Sequence, residues 1–181
     1  VVCENPHLGY ARAARVLDNT PTPTPGIHPS AVVANTAQIS LTVSIGANCV
    51  IEDHVVIGEN VVIGPGSVIS ERSALGAGTR LFANVTVMRG VVIGERCFIK
   101  SGAVLGSDGF GNTQEEGRWV RIPQHGGLRI GHDVQIGAVT TIDRGAIGDT
   151  VIADGVVIDN LVQIGHNCRI GEDTAIVSCA G

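Results

Sequence analysis

VVIGENVVIGPGSVISERSALGAGTRLFANVTVMRGVVIGERCFIK, residues 55–100, sets an aliphatic side chain at every sixth position: Ile57, Ile63, Ile69, Leu75, Leu81, Val87, Ile93 and Ile99. Backwards the series passes through Ile51, Ile45, Ile39 and Val33 to Ile27; forwards it reaches Leu105. It resumes at Ile130, Ile136 and Ile142. Two five-residue steps then lead through Ile147 to Ile152, and sixes continue at Ile158, Ile164, Ile170 and Ile176. Six is neither the helical period nor simple alternation. It describes short extended segments, for which branched aliphatics are suited, joined by turns that glycine and asparagine make at least cost. Repeats of this kind stack, so that each coil covers the core of the next.

The period resembles the hexapeptide repeat of the left-handed parallel β-helix. In that all-β fold three hexads make one triangular coil and each repeat aliphatic points inward. The handedness is an implication of the resemblance, since most parallel crossovers are right-handed. A right-handed solenoid is the alternative.

Composition agrees with a core of stacked aliphatics. Of 181 residues, 44% are hydrophobic and only 3% aromatic, with 25 glycines. The net charge of −5, with no block of Lys or Arg, argues against nucleic-acid binding. No apolar run approaches the ~18–20 residues of a membrane span, so no integral membrane segment is expected. Cys3, Cys49, Cys97, Cys168 and Cys179 form no CxxC pair. Cys49, Cys97 and Cys168 each fall four residues after a repeat aliphatic, and are expected as small inward packing residues in a reducing compartment. The chain starts at Val1 and stops inside a repeat at Gly181, which reads as a piece of a longer protein.

Two regions break the period. In residues 1–26, Val1-Val2 reads as the end of a strand, Leu8 to Leu17 as a short helix, and TPTPTPG (20–26) as a stiff linker. The second break, SDGFGNTQEEGRWVRIPQHGG (107–127), gathers Phe110 and the sole tryptophan, Trp119. It is either a loop that packs over a ligand or neighbour, or one that covers its own face of the prism.

ENPHLGYARAARVLD (4–18) before the Pro-rich linker, GSDGFG (106–111), GRWVRIPQ (117–124), TTIDRGAIGDT (140–150) and DNLVQIGHN (159–167) together resemble the UDP-3-O-acylglucosamine N-acyltransferases of lipid A biosynthesis. The resemblance implies three parts: residues 1–19 as the remnant of an α/β uridine-binding domain, the linker 20–26, and a β-helix over 27–181 with the 107–127 insertion. It implies a cytoplasmic homotrimer with active sites between neighbouring β-helices. The acyl donor would be acyl carrier protein, through its 4'-phosphopantetheine thioester, and the acceptor UDP-3-O-acylglucosamine. No metal and no further cofactor are expected.

Six histidines compete for the catalytic role: His7, His28, His54, His125, His132 and His166. His28 and His54 lie in ordinary hexads and read as solvated; His125 lies in the insertion. His132 and His166 each follow Ile-Gly, in IGHDV and IGHNC, six repeat steps apart. That spacing places both on one edge, separated by about 10 Å, and does not choose between them. The family resemblance does: its catalytic histidine maps onto His166. Midway by the count lies Asp149, expected about 4.8 Å from His166 if the five-residue steps keep the corner aligned. There it would either support the imidazole or only cap the turn.

The implied reaction moves a 3-hydroxyacyl group onto the 2-amino group of the sugar, with His166 as general base and a backbone N–H at a glycine turn receiving the oxyanion. Asn160, Asn167, Phe110 and Trp119 are candidate substrate contacts, and Asn5 and Tyr10 candidate members of a uridine site. Cys168 is set aside as nucleophile because its repeat position points inward. The rivals are an O-acyltransferase acting on UDP-N-acetylglucosamine or another hexapeptide-repeat acyltransferase, a three-histidine zinc carbonic anhydrase, and a purely structural β-helix.

Overall fold

The computed structural model describes residues 4–21 and 23–181. The Val1-Val2 strand end, Cys3 and one residue of the linker lie outside that description. Helix α1 spans Pro6–Leu17, two residues longer at its start than the Leu8–Leu17 expectation. Asn5 caps it, its side chain accepting the Leu8 N–H at 3.0 Å, and Pro6 has no N–H to lose in the first turn. None of its residues is buried.

From Gly26 the chain winds through two-residue strands that pair in parallel with strands one coil away. They form three sheets, one of eight strands and two of seven. Face I carries Ile27, Ile45, Ile63, Leu81, Ile99, Ile136, Ile158 and Ile176 in register. Face II carries Val33, Ile51, Ile69, Val87, Leu105, Ile142 and Ile164. Face III carries Ile39, Ile57, Leu75, Ile93, Ile130, Ile152 and Ile170. From Ile45 to Ile164 all but Ile147 are buried and form one core cluster. The ends are less covered, as Ile27, Ile170 and Ile176 show.

The hexad is built from three other positions as well. Two residues before each aliphatic, a second side chain turns inward and leans on the following coil. There the Ser67, Ser73 and Thr79 hydroxyls donate to carbonyls of Phe82, Met88 and Gly94 at 2.8–3.1 Å, which is how hydroxyls become tolerable in an apolar prism. Three residues after most of the repeat aliphatics the corner takes positive φ: 56° at Asn48, 57° at Arg72 and 56° at Arg96. The glycine directly after the aliphatic has a different purpose. At Gly76 an added Cβ would meet the Gly94 carbonyl carbon at 2.5 Å, so it is the approach of the next coil, not an unusual φ, that requires glycine.

Two departures from the sequence expectation bear on function. Residues 142–152 are not two short hexads. Ile142 lies in a face II strand and Ile152 in a face III strand, so one long corner in a ten-residue step joins them, and Ile147 within it is 90% exposed. Consequently Ile130 and Ile164 do not share a face: Ile130 is on III and Ile164 on II. His132 and His166 therefore occupy different edges, not one edge two coils apart. The three cysteines two residues before a repeat aliphatic differ in cover. Cys49 and Cys97 are buried, their thiols against the Gly64 and Gly131 carbonyls of the following coil, whereas Cys168 is exposed.

The 107–127 insertion leaves face II after Leu105 and returns at Leu128–Ile130 on face III. It contains an antiparallel hairpin, Asn112–Glu115 against Arg118–Arg121, with every residue exposed. Among the described residues no helix is long and apolar enough to cross a membrane.

Candidate active site

Three successive coils are irregular or polar at the same edge, where face II turns into face III. The first carries the 107–127 insertion, the second the 143–151 corner, and the third Gly165, His166 and Asn167. Face II ends its strands with Leu105, Ile142 and Ile164 one above another, so whatever follows them is stacked as well. The site is assembled by this column.

His166 is held from two sides. The imidazole Nδ1 lies 2.9 Å from the side-chain oxygen of Asn167. Its other neighbour is Gly109, in the GSDGFG motif. A Cβ built on that glycine would fall 2.7 Å from His166 Cδ2 and 3.0 Å from Cγ. The glycine thus lets the insertion's backbone lie against the imidazole.

Asn167 sits at a left-handed corner with φ 63°. Its oxygen accepts the Ala146 N–H at 2.9 Å, its amide donates to the Gly148 carbonyl at 3.1 Å, and its own N–H donates to Thr150 Oγ1. Asparagine is the residue that both adopts this backbone cheaply and offers a donor and an acceptor together. The 143–151 corner is joined to the insertion as well: Gly145 N–H donates to Gly127 O, and the His125 and Gly126 N–H groups donate to Ala146 O and Gly145 O. Gly126 has no room for a side chain, because a Cβ there would collide with the carbonyls of Gly145 and Gly148.

Charged groups surround this frame. Asp143 takes a 3.3 Å hydrogen bond from Gln163. Burial pushes its carboxyl above the ordinary range, while Gln163 and the charge of His166 pull it back and Asp108 pushes it further up. Arg144 is buried, donating through Nε to Gly106 O at 2.9 Å and through its terminal amine to Arg89 O. Burial lowers its guanidinium pKa. Its Nε lies 4.0 Å from Asp108, which is also paired with Arg121 of the hairpin. Asp108 thus links the beginning of the insertion, its far strand and the next coil. A cleft of about 280 Å³ continues from here along the same edge, lined by Glu52, Glu71, Arg89, Asp108 and Arg144 among others.

The expected residues are only partly brought together. His166 and Asn167 are adjacent. Asp149 is not the partner of the imidazole: it pairs with Arg129 at 2.6 Å and accepts the Gly127 N–H at 2.8 Å, and these two contacts hold its pKa below the usual carboxylate value. The long corner is the reason, since with Ile142 beside Ile164 it is Arg144, not Asp149, that stands at the level of His166. Asn160 lies at the other end of face II, at its edge with face I, with its oxygen on the Ala138 N–H at 2.6 Å. Phe110 and Trp119 are 87% and 69% exposed; neither covers the prism of its own chain. Asn5 is the cap of α1 and Tyr10 lies on that helix, before the first coil. His132 accepts the Glu95 N–H through Nδ1 at 3.1 Å, which ties two neighbouring coils together at the edge between faces III and I.

Sequence reasoning missed Asp108, Gly109, Asp143, Arg144 and Gln124. The first four lie within GSDGFG and TTIDRG, which were recognised as motifs without roles for their residues. Gln124 is 4% exposed under Gly111, with its amide on Ile122 O and its Oε1 the one buried side-chain polar atom without a partner among the described residues. Among those residues no three His, Cys, Asp or Glu side chains gather as a metal site.

Residues 42–71 and 73–107 match the family model for the bacterial transferase hexapeptide (six repeats). A solved UDP-N-acetylglucosamine acyltransferase from Francisella novicida superposes with a TM-score of 0.53 at 29% identity, over 84% of this chain and 46% of that one. Repeats and fold are those of the hexapeptide-repeat transferases.

Within that class the chain belongs to the UDP-3-O-acylglucosamine N-acyltransferase family. It is 51% identical over 182 residues to the protein of that name from Coxiella burnetii, and 51% identical over 187 residues to the one from Bordetella pertussis. Both alignments use 100% of this chain but only 53% and 52% of the relatives, so the chain spans about half the length of the curated relatives it matches.

Proposed function

We propose that this chain carries the acyl-transfer centre of a UDP-3-O-acylglucosamine N-acyltransferase. The 2-amino group of the sugar attacks the thioester carbonyl of a 3-hydroxyacyl group on acyl carrier protein. His166 Nε2 takes the proton from the nitrogen as the C–N bond forms. The tetrahedral oxyanion then collapses, expelling the phosphopantetheine thiolate, which leaves as thiol once protonated. The thioester is already activated, so the step needs neither metal nor further cofactor.

The observation that carries this reading is the His166 corner: an imidazole fixed through Nδ1, pressed by Gly109, with its other nitrogen left to act. Identity of 51% to relatives of that name supports the acceptor as an amine. A homotrimer is part of the proposal. The outward positions of the first five strands of face II are Val32, Val50, Val68, Thr86 and Val104, followed by Thr141 and Gln163, and those of face III include Val56, Ala74 and Val92; the aliphatic part of these ladders suits side-by-side packing about a three-fold axis. Two free buried thiols, Cys49 and Cys97, fit a cytoplasmic, reducing compartment.

The test is acyl transfer by the full-length protein, from acyl carrier protein to UDP-3-O-acylglucosamine and, separately, to UDP-N-acetylglucosamine. Amide formation on the first, lost by about 10²–10⁴-fold in His166→Ala, is expected. Ester formation on the second in its place would assign the chain to the O-acyltransferases.

A further inference from the structure

The amide of Asn167 cannot be turned round. Its oxygen faces the Ala146 N–H at 2.9 Å and its nitrogen faces the Gly148 carbonyl at 3.1 Å. The reversed amide would set NH2 against N–H and oxygen against oxygen, two repulsions in place of two bonds. The atom 2.9 Å from His166 Nδ1 is therefore the oxygen, which only accepts. A neutral imidazole makes that bond in one tautomer alone, the one with its proton on Nδ1 and its lone pair on Nε2. For a free histidine side chain this is the less favoured form. The oxygen is itself immobile, because Asn167 is tied at its backbone to Thr150 and at both side-chain atoms to the 143–151 corner.

We infer that Asn167 is the positioning residue of the site: its side-chain carbonyl selects the Nδ1–H tautomer of His166 and aims Nε2, and the 143–151 corner exists in part to hold that carbonyl still. The inference rests on the reading of His166 as base and gives Asn167 a role other than contact with substrate. The logic is that of an orienting partner behind a working imidazole, here supplied by a neutral amide on the adjacent residue. It also accounts for the residue type. Glycine would adopt the corner but lack the acceptor, and serine would supply the acceptor but sit poorly at φ 63°.

Two variants of the full-length protein separate this from a merely structural role. Asn167→Gly keeps the left-handed corner and removes the carbonyl. Asn167→Asp keeps an acceptor for Nδ1 and for Ala146 while losing the donor to Gly148. The first readout is the 15N spectrum of histidine-labelled protein, with His166→Ala used to assign the signal. His166 should show the Nδ1–H form in the wild type and in Asn167→Asp, and move towards the Nε2–H form in Asn167→Gly. The second is kcat against KM: Asn167→Gly should lose about 10–100-fold in kcat with KM within about twofold, and Asn167→Asp should recover most of the loss. An unchanged tautomer in Asn167→Gly, or equal losses in both variants, overturns the inference. If instead His166→Ala keeps full activity, the reading of His166 as base fails, while the spectrum still decides whether Asn167 sets the tautomer.

Discussion

Replacing Gly109 by alanine tests the geometry of the site with a single methyl group. Gly109 has no positive φ, so alanine brings no backbone strain. Its Cβ would stand 2.7 Å from His166 Cδ2, 2.8 Å from Cβ and 3.0 Å from Cγ. Ordinary contact begins near 3.4 Å, so loop and imidazole must part by about 0.7 Å or more. The loop is anchored: Asp108 is paired with Arg121 beside Arg144, and the turn is closed by the Gly111 N–H on the Gly109 carbonyl at 2.8 Å. The imidazole has one strong tether, to Asn167, and an exposed outer side, so it is the part that yields. A displacement approaching 1 Å at a reacting group costs on the order of 10²-fold, equivalent to about 2.7 kcal/mol of transition-state stabilisation. Folding should be almost untouched, since the clash is at the surface and not in the prism. The assay is amide formation from acyl carrier protein together with thermal melting. Full activity in Gly109→Ala would mean that the insertion moves freely and does not set the position of His166, which would refute the argument.

Other expectations can be checked with the same protein. His132→Ala should keep activity within a fewfold, because the ring ties two coils together at another edge; a loss as large as that of His166→Ala would reverse the assignment. Cys168→Ser should retain activity, for direct attack by the amine needs no thiol ester on the protein; accumulation of an acylated Cys168 in mass spectra would contradict this. Asp143 and Asp149 should respond to pH with opposite signs. Burial raises the Asp143 pKa in the folded state, so its ionised form opposes folding, and Asp143→Asn should raise the melting temperature at neutral pH with a gain that shrinks as pH falls through the carboxylate range. Arg129 and the Gly127 N–H depress that of Asp149, so its contribution is present above the ordinary carboxylate value of about 3.9 and is lost as pH falls through the depressed one. Replacing Phe110 and Trp119 together by alanine should raise KM or lower kcat without unfolding the β-helix, because neither ring packs on the prism; unchanged kinetics would leave the hairpin without a role in turnover.

The sequence by itself determined the prism. A residue every six is buried whatever lies far away in the chain, because in a stacked repeat the environment of Ile63 or Ile99 is made by its own hexad and the neighbouring coils. Register and the inward positions follow from counting, whereas the choice of His166 over His132 came from the resemblance carried by the GSDGFG, TTIDRG and DNLVQIGHN motifs. What only the tertiary structure decided is the phase of the chain after each interruption. Residues 142–152 can be counted as two short steps or as one long corner, and Ile147 is aliphatic in either case. The choice is made by bonds between distant segments, Gly145 to Gly127, Ala146 to Asn167 and Thr150 to Asn167, which pull the corner out of the repeat and leave Ile147 in solvent. That single choice moves His132 and His166 to different edges, takes Asp149 away from the imidazole, and stacks the two excursions over His166. Counting along a sequence has no access to it, because an excursion adds residues without adding a face, and only its closing hydrogen bonds say where the chain re-enters the prism.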